Sequence, residues 1–129
     1  YPLTDFRRVQ LLDPVQENLA RKIKAMKRAL QAFESAIDYG VATVTTAATY
    51  HIATMYDELG SALLSSPRPA NLTVEQLAEY DLLLANQATA FEQKAIDLYM
   101  INTDSNYDAQ RDPWVAKSAQ QLKRRQAAR

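Results

Sequence analysis

The stretch that decides the fold is GVATVTTAATYHIATMYDEL, residues Gly40 to Leu59. Between Asp38 and Asp57 it carries no charged side chain unless His51 is protonated, in a chain of which 23% of residues are charged. Its opening, Val41-Ala42-Thr43-Val44-Thr45-Thr46, has the β-branched residues of a strand. Apolar positions nevertheless recur at Val41, Val44, Ala48, Ile52, Met55, Leu59 and Leu63, the three- and four-residue spacing of one helix face. Sustained periodicity outweighs local propensity, so a helix is predicted. Its opposite face is Thr43, Thr46, Tyr50, Ala53, Thr54 and Asp57, mostly small or uncharged. A helix with one apolar and one neutral face is touched on more than one side. That is the condition of a middle helix in a layered array, not of an outer helix in a simple bundle.

The flanking segments carry their own helix signals. Upstream, Asp13-Pro14 supplies an N-cap and a first-turn proline, with Gln16 at the capping-box position. Val15, Leu19, Ile23, Met26, Leu30, Phe33 and Ile37 then form one seam, which Gly40 ends as a C′ residue. Arg21, Lys22, Lys24, Lys27 and Arg28 are expected on its solvated face. Downstream, Ser65-Ser66-Pro67-Arg68-Pro69 breaks the middle helix. Thr73 and Gln76 form a second capping box, and the next seam is Leu77, Tyr80, Leu84, Ala88, Phe91, Ala95 and Leu98. Asn102 to Asn106 is predicted as a loop, and Asp112-Pro113 opens a shorter helix with Trp114, Val115, Ser118 and Leu122 inward.

The predicted fold is therefore all-α, built of antiparallel helical hairpins, with a closed four-helix bundle as the alternative. Residues 13–122 are expected to form a single domain. Residues 1–12 precede it as a short segment or the end of an earlier helix, and residues 123–129 follow as a basic tail. With 129 residues, two glycines and no cysteine, the chain can bury a core without disulfides and has little turn material for a sheet. It begins at Tyr1, and a piece excised from a longer protein is expected. The uncharged stretch is too short and too rich in threonine to be a membrane span. Formal charge sums to zero but is unevenly placed, at +2 over residues 1–40, −1 over 41–72, −5 over 73–104 and +4 over 105–129. Attraction between neighbouring helices accounts for this pattern without an external polyanion.

A family resemblance appears at this point. Ala29-x-x-x-Phe33-x-x-Ala36 is similar to the second-helix pattern of a tetratricopeptide repeat, and Ala53-x-x-Tyr56 resembles first-helix positions. Thr49 stands nearest the place of the repeat's usual Trp, and Ala53 replaces its Gly. Further on come Ser66-Pro67-Arg68-Pro69-Ala70-Asn71-Leu72, Tyr80, Leu84, Phe91-Glu92-x-Lys94-Ala95, Tyr99, Tyr107-Asp108 and Pro113-Trp114-Val115-x-Lys117-Ser118. Together they resemble the degenerate tetratricopeptide-like region of large bacterial envelope proteins, over roughly residues 13–122. The resemblance implies a right-handed superhelical scaffold in the periplasm or elsewhere in the bacterial envelope, serving a transport or motility assembly.

Catalytic and metal-binding constellations are not indicated. His51 is the sole histidine, without a Glu or His at metal-binding helical spacing, and is read as structural. Asp57-Glu58, Glu75/Glu79 and Asp97 are read as solvated carboxylates. Gly40 and Gly60 cannot build a phosphate-cradling loop. The basic groups of residues 21–28 and 123–129 lack the interleaved aromatics that stack bases, so nucleic acid is not expected. No enzyme activity, cofactor or metal is predicted. What remains is recognition of a protein or peptide, with Thr43, Thr46, Tyr50 and Asp57 on the neutral face as candidate contacts. Packing of that face on a neighbouring helix is the competing reading. Self-association of a helical bundle is the alternative function.

Overall fold

The computed structural model describes residues 1–104 and 111–128. The predicted loop residues Ser105 and Asn106, together with Tyr107, Asp108 and Arg129, lie outside them. Five helices occur among the described residues: α1 (Pro2–Arg8), α2 (Val15–Asp38), α3 (Ala42–Ser65), α4 (Val74–Asp104) and α5 (Pro113–Ala128). No strand is found among them. The β-branched opening of α3 is helical from Ala42 onward, as its periodicity requires.

α3 is the central rod. It packs against α2, α4 and α5, α4 being its most extensive neighbour, and Phe91 and Leu98 of α4 reach the same apolar cluster as Met26 and Ala29 of α2. α1 lies on α2, while α2 and α5 share no comparable interface. The helices therefore follow one another in layers and do not close into a ring. The core is continuous along α3: Met26 and Ala29 of α2 meet Ile52, Met55 and Leu59, while Leu84 and Ala95 of α4 meet Leu63 and Ala53. Gly60 allows the closest helix approach, since a Cβ there would lie 3.2 Å from the Ala88 carbonyl oxygen.

Local chemistry sets the corners. Gly40 takes φ +72°, which a residue without Cβ adopts freely, and its N–H donates to the Ile37 carbonyl (2.9 Å) to close α2. At the end of α3, the Ser66 hydroxyl donates to Leu63 O (2.6 Å). Arg68 donates to Ser66 O (2.6 Å) and Leu64 O (3.2 Å), and its Nε donates to Asp81 (2.6 Å), so one guanidinium caps α3 and tethers α4. The Thr73–Gln76 capping box forms reciprocally, at 3.0 and 3.1 Å.

Six local expectations are corrected. Pro14, not Asp13, occupies the N-cap of α2 in extended backbone, a place where its missing N–H costs nothing; Asn18 braces the turn by donating to Leu12 O (2.9 Å). Lys22 is not solvated. It is 5% exposed, donates to Phe6 O and Val9 O (2.9 Å each), and lies 4.0 Å from the Phe6 ring centroid. Carbonyls at the end of α1 lack helical partners, and a long lysine stem reaches them. Val41 and Val44 are exposed at the tip of the α2–α3 hairpin, where no described element covers them. Asn102 does not open a loop but lies buried in the last turns of α4. Residues 123–128 continue α5. At the other end, Phe6 and Leu11 are buried, so residues 1–12 belong to the domain core.

Candidate interaction site

Sequence reasoning singled out the neutral face of α3, and the structure lays α4 and α5 across it. Thr43 is exposed. Thr46 is fully buried, and its hydroxyl donates to Asp112 Oδ2 (2.6 Å). Tyr50 is partly buried within an aromatic group, 5.6 Å from Trp114, 5.7 Å from His51 and 5.8 Å from Tyr99 between ring centroids. Asp57, partly buried, accepts from the Tyr99 hydroxyl (3.1 Å) and pairs with Arg125. The four residues thus share a helix face but divide between solvent and the α3–α4–α5 seam.

Two polar clamps hold that seam. Near its start, Asp112 caps α5 by accepting from Trp114 N–H (2.9 Å) through one oxygen while the other takes the Thr46 hydroxyl. The Asn102 amide donates to Thr46 O and Ser118 Oγ (3.0 Å each), and the Ser118 hydroxyl donates to Trp114 O (2.8 Å). Three helices are stitched by groups 5% exposed or less, so each unsatisfied partner would carry a large desolvation cost. About three turns along α3, Asp57, Tyr99 and Arg125 form the second clamp. Burial, then the Asp57 carboxylate, push the Tyr99 hydroxyl well above the ordinary phenol range. Arg125 lies 5.2 Å from the Tyr99 ring centroid and 3.9 Å from Glu92.

Between the clamps, His51 stacks on Phe33 (5.6 Å) and meets Trp114 (5.0 Å), linking α2 to α5. Its Nδ1 is buried without a hydrogen-bond partner among the described residues. Burial first, then the positive charges of Arg7 and Lys117, hold its pKa below the ordinary value of 6.5. No group of three His, Cys, Asp or Glu suited to a metal occurs among the described residues.

Beyond the second clamp lies a groove of about 560 Å³. Gly60 and Ala88 form its floor, and Asp57, Glu58, Ser61, Leu64, Glu92, Arg124 and Arg125 line its walls. Glu58 is paired with Arg7 (3.1 Å), and Leu64 is half exposed. The surface offers an apolar strip between carboxylates and guanidiniums, chemistry suited to a peptide carrying both apolar and charged side chains. Sequence reasoning named only Asp57 among these residues as a candidate contact. Arg125 stood in the expected tail, and its approach to Asp57 spans most of the chain. Gly60 between apolar seams was the one signal that pointed to a close approach here.

No family model matches this chain, and no curated protein or solved structure matches it significantly. Among the described residues, no helix is long and apolar enough to cross a membrane.

Proposed function

We propose that the chain is a non-catalytic protein-interaction scaffold, a tetratricopeptide-like piece of a larger bacterial envelope protein acting in the periplasm or elsewhere in the envelope. The observation that carries this reading is the placement of α3, which touches α2, α4 and α5 while α2 shares no extensive interface with α4 or α5. Layered helices present side chains along grooves between elements, and such arrays serve chiefly as recognition surfaces. The motif resemblance supplies the compartment. The buried polar side chains Thr46, Asn102, Asp112 and Ser118 are engaged in joining helices, which suits a rigid support. Recognition falls to the α3–α4–α5 groove, with Leu64 as apolar contact and Glu92 and Arg124 as charged contacts.

The test is site-specific photocrosslinking in cells that make the parent protein. A photoreactive residue at Ser61 or Leu64 is expected to give one discrete protein adduct, and the same residue at Ala70, exposed outside the groove, none. Absence of adducts from both groove positions in a folded protein, or adducts of equal yield at Ala70, overturns the assignment of the groove.

A further inference from the structure

Two outer helix stripes remain exposed, and their charges match. On α2, Arg21, Arg28 and Ser35 recur at seven-residue steps and are exposed, with Lys24 between the arginines and Asp5 and Arg8 of α1 lining the cleft beside them. On α4, Leu83, Ala90, Asp97 and Asp104 recur at the same step and are exposed, with Met100 and Ile101 between the aspartates. At about 1.5 Å per residue, each charge pair spans about 10.5 Å. Run antiparallel, the stripes bring Arg21 to Asp104, Arg28 to Asp97 and Ser35 to Ala90, small against small. The exposed tip of the α2–α3 hairpin, Tyr39 (84%) and Val41 (51%), then reaches the α4 pair Leu82 and Leu83 (63% each). Lys94, the exposed cation of the α4 stripe, falls opposite neutral Gln31, and Lys24 falls opposite Ile101.

Within one molecule α2 and α4 share no extensive interface, and both stripes stay exposed. We infer that the outer stripe of α2 in one copy docks antiparallel on the outer stripe of α4 in a second copy. The contact is heterologous and, once made, leaves the same two stripes free at the ends, so it propagates as an open chain. It uses neither the α3–α4–α5 groove nor the polar clamps, and stands whether or not the groove binds a partner. A single helix-on-helix contact is small, and its charges are solvent-screened, so the association is weak and favoured by low salt.

Absence of cysteine from the chain makes disulfide trapping clean. The double variant Ser35→Cys with Ala90→Cys, oxidised at high protein concentration, is expected to give a ladder of dimers, trimers and higher species on a non-reducing gel. Each single variant should give no trimer. A dimer band alone from the double variant means a symmetric contact, and monomer alone means no contact; either overturns the inference. Charge reversal supplies the control on folding. Arg21→Glu with Arg28→Glu, and separately Asp97→Arg with Asp104→Arg, should each keep the parental melting curve. Each should abolish the concentration-dependent rise in sedimentation coefficient, and an equimolar mixture should restore it. Association unaffected by either reversal, or not restored by mixing, is the contrary result.

Discussion

The two flanks of α3 are held by different physics. Toward α2 the contact is apolar: Met26, Ala29, Ile52, Met55 and Leu59 interlock, with Phe6 of α1 beneath. Toward α5 two polar clamps bracket the ring contacts of Tyr50 and His51 with Trp114: Thr46, Asn102, Asp112 and Ser118 at one end and Asp57, Tyr99 and Arg125 at the other. Apolar burial tolerates small shifts because it has no direction, whereas a buried hydrogen-bond network accepts one register only. The first flank supplies adhesion, and the second positions α5 on α3 and α4.

Substitutions can separate the two contributions. The largest effect is expected from Met55→Ala, which empties a fully buried site on the α2 flank and should cost about 2–5 kcal/mol in urea unfolding. The loss should appear equally by circular dichroism and by Trp114 fluorescence if the domain unfolds as one unit. Asn102→Ala should cost about 1–3 kcal/mol by stranding Thr46 O and Ser118 Oγ, and should accelerate amide exchange in α5 more than in α2. Equal acceleration in both helices would deny the clamp its local role. Tyr99→Phe removes one hydrogen bond to Asp57 and should cost about 1 kcal/mol. In an Asp57→Asn background the same change should cost less, a coupling that a double-mutant cycle measures.

The smallest effect concerns pH. His51 has its pKa lowered in the folded state, so below neutrality the unfolded chain binds its proton more readily. The His51 contribution is therefore fully present above the ordinary pKa and is lost as pH falls toward the lowered one. Denaturant midpoints measured between about pH 7.5 and pH 5 should fall further in the wild type than in His51→Phe, which keeps the stacking ring and cannot titrate. Parallel falls would remove the histidine from the acid sensitivity.

The contrast between the flanks also explains what could be read from the residues in order. Apolar seams at helical spacing located α2, α3 and α4, because each burial site announces itself by side-chain type and period. Thr73 with Gln76 and Gly40 were legible for a related reason: their chemistry is completed within a few residues of chain. The polar clamps were not. Asn102 has the composition of a loop, Lys22 of a solvated face and Arg125 of a tail, and each acquires its role from a partner distant in sequence. The candidate contacts Thr46 and Asp57 were recognised as unusual, yet what lies against them depends on where α5 lands.

Local order and period thus determined that this chain is helical, where α2 gives way to α3, and that more than one helix covers α3. Only the tertiary structure decided which polar groups are joined, since a hydrogen bond between Thr46 and Asp112 or Asp57 and Arg125 exists once packing brings together residues with no local reason to meet. Apolar surface needs only a place away from water, while a buried donor needs one particular acceptor.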